Sequence, residues 1–192
     1  MLRSLLLLVL LPVSASAQVA LSGTVTKDVD AAGESVLFVK VDEDALDVWN
    51  QTCQRMNLNA MDFAQMRDQE RGRLLVAGDQ SALEAFEIET DSIFQAEQAN
   101  RWRTITGTLA SLASARATIR QGAFRIDSLL PGTYLVFLRI PAEPRPYLWA
   151  IAVDLDAGES TRLDLDLDNQ TPSFSCHSAL IPGSGPGPGI GR

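Results

Sequence analysis

Residues 122–140 read GAFRIDSLLPGTYLVFLRI, and the fold turns on this stretch. After Gly122, Ala123, Phe124, Arg125 and Ile126 alternate with the two-residue period of a half-buried strand. Leu130-Pro131-Gly132 then marks a turn, because proline presets φ and glycine tolerates a positive φ. Residues 133–140, rich in aromatic and branched side chains, predict a strong second strand.

The pattern extends on both sides. Pro141, Pro144 and Pro146 end the second strand in a stiff loop, and residues 147–155 predict another strand. Ala157-Gly158-Glu159 is a tight turn, and residues 161–167 predict the last strand. In that strand Leu163, Leu165 and Leu167 are expected inward and Asp164, Asp166 and Asp168 outward. Upstream, residues 20–26 and 35–41 read as strands around a turn at 28–33, with Val36 and Phe38 buried and Leu37, Val39 and Val41 as further candidates for burial. Short strands with hairpin-length turns imply an antiparallel sandwich.

The middle breaks this pattern. Asp42 or Asp44 can cap a helix that carries Ala45, Trp49, Thr52, Cys53 and Met56 on one stripe. Asn57 and Asn59 are expected to interrupt it, a second helical stretch follows through Met61, Ala64 and Gln65, and residues 71–78 read as a connector. Ser81 and Glu84 make a capping box, and a helical phase then runs through Leu83, Phe86, Thr90, Ile93, Trp102, Ile105, Leu109 and Leu112 to about Arg116. The weakly apolar residues 95–100 and Gly107 are candidate bends. The fold class expected is α+β: a small antiparallel β-sandwich from residues 18–42 and 117–170, with residues 43–116 as an inserted helical region. Residues 171–192 form a tail, Gly/Pro-rich and expected to be disordered from about 182.

Residues 21–26 (LSGTVT), the Gly122-to-Tyr134 stretch, and Ala157-Gly158-Glu159 before an alternating acidic strand resemble the carboxypeptidase regulatory-like domain. That family is a transthyretin-like seven-stranded sandwich. The resemblance covers under half of the chain past residue 17, and Phe124 to Tyr134 is its most specific part. It implies a structural, adhesion or binding module with no catalytic residues of its own. The chain departs from the family at residues 43–116, where the family has a short strand-and-loop connection.

At the N-terminus, Arg3, the apolar run at residues 5–13 and Ala15-Ser16-Ala17 make the three parts of a secretory signal peptide, residues 1–17. The apolar run falls well short of the roughly 20 residues of a membrane span, and no later stretch is long and apolar enough to span. A periplasmic or extracellular location follows. The net charge of −8 at pH 7 disfavours nucleic acid and anionic membrane surfaces, which need a basic field.

Cys53 and Cys176 are the two cysteines, and in an oxidising compartment an even count points to a disulfide between them. A metal pair and two buried thiols remain the alternatives. Cys176-His177 lacks the further ligands of a zinc site. The row Asp164, Asp166, Asp168, with Asp154 and Asp156 on a strand that could lie adjacent, projects in parallel rather than converging as calcium requires, and reads as a solvated edge. No metal or other cofactor is expected. His177 is the single histidine, and the nucleophile and phosphate-loop motifs are missing. A carboxylate pair for glycoside hydrolysis stays open, acidic residues being too common to single out two. Trp49, Trp102 and Trp149 could line a carbohydrate groove, although core packing is the simpler role for Trp49 and Trp102.

The expectation is therefore a non-enzymatic binding or structural module of the envelope or exterior. Its partner would be a protein, or else a carbohydrate, with the helical insertion either carrying the site or serving only as a cover for one sheet face. Arg101, Arg103 and Arg116 are the candidate partner surface, a basic patch in an acidic chain. A small secreted carboxylate-dependent hydrolase and an envelope assembly subunit are the alternatives.

Overall fold

The computed structural model describes residues 18–143 and 145–171 together with Phe174. Residues 1–17, expected to be a signal peptide, and Cys176, His177 and the Gly/Pro-rich tail lie outside the described residues. The chain has an α+β fold in the order β1 (Val19–Thr24), β2 (Ser35–Lys40), α1 (Glu43–Ala77), α2 (Gln80–Leu112), β3 (Ala113–Thr118), β4 (Ala123–Leu129), β5 (Gly132–Ile140), β6 (Tyr147–Leu155) and β7 (Ser160–Arg162).

Two sheets form the sandwich, one of order β4-β1-β7 and the other β3-β2-β5-β6. Every strand pair is antiparallel except β1–β7, which is parallel. The turns at Leu130-Pro131 and around Gly158 do not join neighbours in one sheet; each carries the chain across to the opposite sheet. Consequently β6 and β7 are not adjacent, and Asp154, on β6, does not lie on a strand beside the segment that carries Asp164, Asp166 and Asp168, which follows β7.

The four-stranded sheet is apolar on both faces. Val36 and Phe38 of β2, with Tyr134, Val136 and Leu138 of β5 and Trp149 of β6, point into the space between the sheets. Their alternates Leu37, Val39, Leu135, Phe137 and Leu148 belong to a second core under the helices. This explains why β5 reads as an unbroken apolar run rather than an alternating one: a strand covered on both faces has no solvent side.

Close approach of backbones also fixes one glycine. A Cβ at Gly23 would overlap the Leu163 carbonyl oxygen and stand 2.7 Å from Cζ of Phe124. The missing side chain lets the segment after β7 lie against β1, where Leu163 N–H bonds the Ser22 carbonyl and Leu165 N–H the Thr24 carbonyl.

The helical region departs from expectation in four places. α1 is one continuous helix; Asn57, Asn59 and Gly72 sit inside it, each a propensity cost of about 1 kcal/mol or less that packing at its ends outweighs. The segment 71–78 is therefore the last turns of α1 and its cap, not a connector. Asp79 rather than Ser81 caps α2, its side chain accepting the Ala82 N–H at 3.0 Å. α2 ends at Leu112, and residues 113–118 form the edge strand β3. The two helices thus replace what would otherwise be a tight turn between neighbouring antiparallel strands, since Val39 of β2 pairs with Ala113 of β3.

Candidate functional site

Asp42 caps α1 by accepting the Ala45 N–H at 3.0 Å. At the far end Gly78, at φ 70°, takes the left-handed conformation that lets its N–H reach the Leu74 and Leu75 carbonyls. Gly78 and Asp79 alone reverse the chain, so α1 and α2 form an antiparallel hairpin. At 1.5 Å per residue each helix runs to about 50 Å, longer than the strands beneath it.

Burial along the hairpin is confined to its ends. At the base Ala45, Trp49 and Cys53 of α1 and Ile105 and Leu109 of α2 seal the outer face of the four-stranded sheet. Phe174 joins them, its ring 5.7 Å from those of Trp49 and Phe137. Near the tip Leu74, Leu83 and Thr90 are buried. Between these ends, residues 54–73 and 91–104 contain no buried side chain. Ile93, expected on the covered stripe, is 41% exposed, and Leu58, Met61 and Met66 exceed it.

In this middle section the helices leave a groove of about 450 Å³. Met56, Ala60, Phe63 and Phe94 supply its apolar lining, and Arg55 and Arg101 stand on its walls. A shallower depression of about 500 Å³ is lined by Trp102, Arg103, Gly107 and Arg139. The Arg139 guanidinium lies 5.0 Å over the Trp102 ring, a cation–π contact.

The structure divides the three arginines singled out by their charge. Arg101 lines the groove and Arg103 the depression. Arg116, on β3, donates to the Ala110 carbonyl at 2.6 Å. That carbonyl is in the last turn of α2, where the helix supplies no donor, so Arg116 caps the helix instead of facing a partner.

The remaining candidates fall as follows. Cys53 is buried at the base and is not a free thiol; Cys176 lies outside the described residues. Trp49 and Trp149 are core residues, and the Trp149 indole N–H donates to the Asp166 carbonyl at 2.8 Å; Trp102 is half-buried. The aspartates after β7 do not form a row. Asp164 accepts the Thr24 hydroxyl at 2.8 Å and N–H at 3.0 Å and pairs with Arg162 at 2.9 Å. The Arg162 guanidinium, followed by the Thr24 donors, holds its carboxyl below the usual range against partial desolvation. Asp166 instead accepts the N–H groups of Asp168 and Asn169, which bends the chain and leaves Leu167 47% exposed. Burial raises the Tyr134 hydroxyl above its ordinary pKa, partly offset by a hydrogen bond from the Leu130 backbone. Among the described residues no three His, Cys, Asp or Glu side chains converge as a metal site, and no carboxylate is buried.

Sequence reasoning missed the groove because Phe63 and Phe94 fit an ordinary helical stripe. The weakly apolar residues 95–100 were the available signal, since Glu97, Gln98 and Asn100 fall on the groove wall where a sealed hairpin would carry apolar side chains. Among the described residues no helix is long and apolar enough to cross a membrane. Compared with protein-family models, with curated proteins and with solved structures, the chain matches none.

Proposed function

We propose that the chain is an exported, non-enzymatic binding module of the bacterial envelope or exterior, in which a carboxypeptidase regulatory-like sandwich holds a helical hairpin out as its binding element. One observation carries this reading: the hairpin extends past the core that it seals and exposes apolar side chains there, with Val76 at its tip 91% exposed. Contiguous exposed apolar surface on a soluble domain marks an interaction site. The seven strands in two sheets agree with the sandwich implied by the sequence resemblance. A Cys53–Cys176 disulfide would fasten the hairpin base to the C-terminal segment, in keeping with Cys53 not being free. Such a bridge closes a long loop and is worth about 2–4 kcal/mol.

A photo-crosslinking residue placed at Val76, and separately at the exposed Glu159 on the sandwich, tests the reading in the native envelope. A discrete adduct is expected from Val76 and none from Glu159. Adducts from Glu159 alone, or turnover of glycosides, esters or peptides by the purified chain, would overturn it. Removing residues 67–77 and 80–90 takes about three turns from each helix, keeps the Gly78-Asp79 reversal and preserves helical phase. The shortened protein should fold and lose the adduct when the crosslinker is placed at the nearby Met66. Non-reducing peptide maps should show Cys53 and Cys176 linked.

A further inference from the structure

From the groove between α1 and α2 we infer that the hairpin binds a free single-chain amphiphile with an anionic head group, a long-chain carboxylate. This deepens the reading of the hairpin as a binding element and rests on it. Three features of the groove point to that chemistry.

The first is shape. The groove runs along α1 from Thr52 to Arg67, about 22 Å at 1.5 Å per residue. Its volume of about 450 Å³ falls within the range of small-molecule sites, roughly 300–1,000 Å³. A long, narrow slot between two helices accommodates an extended chain better than a compact ring system.

The second is lining. Ala60, Phe63, Ala64 and Phe94 occupy its distal part, and Phe94 is 43% exposed although it faces the other helix. Side chains that line a groove yet stay wet gain from an apolar occupant, because its chain takes the water's place. The absence of buried residues over 54–73 and 91–104 reports the same vacancy from the helices' side.

The third is charge. Arg55 and Arg101 stand on opposite walls toward the base, and neither enters an ion pair with a described residue. Glu97 is the single acidic residue of the lining, and Arg67, at the distal end, is held by Asp68 at 3.3 Å. Two unpaired guanidinium groups beside an apolar slot, in a chain of net charge −8, favour an anionic head group at that end. They also disfavour a second copy as the occupant. A two-fold contact through the groove sets each copy's arginines against a surface carrying the same cations and one carboxylate.

The test titrates the full chain, exported and processed, with cis-parinaric acid and follows its fluorescence. Saturable one-to-one binding, displaced by palmitate, is expected. Methyl palmitate, which keeps the tail and loses the charge, should compete about tenfold more weakly. The Arg55→Gln/Arg101→Gln protein should bind palmitate about tenfold more weakly, with Lys at both positions restoring part of the loss. Ala60→Trp, which fills the slot from an exposed position, should abolish binding while the thermal midpoint holds. If that variant fails to fold, the arginine pair decides. Absence of saturable binding below the micellar range overturns the inference. So does equal competition by methyl palmitate, unchanged affinity in the double Gln variant, or binding only to phosphatidylglycerol vesicles. Failure here with a Val76 adduct intact removes the ligand and leaves the hairpin's binding role standing, whereas palmitate bound with no Val76 adduct keeps the ligand and removes only the partner at the hairpin tip.

Discussion

The four-stranded sheet and the middle of the hairpin both carry large apolar side chains, yet they treat them in opposite ways. In the sheet, successive residues of β5 alternate between two cores and Leu135, Val136, Phe137 and Leu138 are all at most 1% exposed. In the hairpin, Leu58, Met61 and Phe94 lie on helices of comparable regularity and stay in water. The difference lies in the number of layers. A sheet covered by a second sheet and by a helical pair has neighbours on both faces, whereas two helices that outrun the sheet have only each other. Stability belongs to the first region and unsatisfied surface to the second.

Phe137→Ala should produce the largest effect, about 4 kcal/mol by urea denaturation, because its ring contributes to the core under the helices. Phe38→Ala, on the adjacent strand facing the other way, should cost a similar amount. Near equality would show that the helical base is as much core as the space between the sheets. A Phe137→Ala cost below about 1 kcal/mol would break the comparison by making the helices a loose cover.

Gly23→Ala should follow at about 3 kcal/mol, through a clash of its Cβ with the Leu163 backbone rather than through lost burial. The same substitution at Gly72 or Gly107, where an added Cβ meets nothing within 4 Å, should be neutral or stabilise the hairpin by up to about 1 kcal/mol. A costly Gly72→Ala would mean that the middle section is covered in solution.

Asp164→Asn should cost less than about 1 kcal/mol at neutral pH, since its ion pair with Arg162 is largely exposed and solvent-screened. The folded-state pKa of Asp164 is depressed, so its contribution is fully present above the ordinary carboxylate range and is lost as pH falls through the folded value. The difference between the native chain and the variant should therefore shrink on acidification, read as converging thermal midpoints. A gap that widens toward low pH would contradict the Thr24 and Arg162 assignment.

Much of the sandwich was legible because its signals are local. Residues 147–155 predicted β6 to the residue, and the proline and glycine of Leu130-Pro131-Gly132 placed the turn before β5. β3 was hidden by composition: Ala113, Ala115 and Ala117 alternate with Ser114, Arg116 and Thr118, but alanine favours helix, so the helical phase ran on. The end of the last strand failed for the opposite reason. A clean alternation through Leu167 was broken by Asp166 turning back on Asp168 and Asn169, a side-chain choice that periodicity does not register. The arginines were legible as charge but not as geometry, since nothing local tells that Arg116 meets Ala110 while Arg101 meets the groove.

The smallest effect is the most discriminating. Leu58→Ser with Met61→Ser replaces two large apolar side chains, which in a core would cost several kcal/mol. In the single chain they are 54% and 68% exposed, so little burial is lost and the pair should shift stability by no more than about 0.5 kcal/mol. Both lie on the outward face of α1, away from the Met56 and Phe63 that line the groove, and palmitate affinity should not change. The urea midpoint should be measured at several protein concentrations beside sedimentation equilibrium. A midpoint that rises with concentration in the native chain, and loses that dependence in the variant, would show this face buried against a second copy, because association stabilises by mass action. A flat profile in both would leave the face open for a partner of another kind. A cost above about 2 kcal/mol at every concentration would mean that the hairpin folds back on itself, and the contrast between its middle and the sheet would no longer hold.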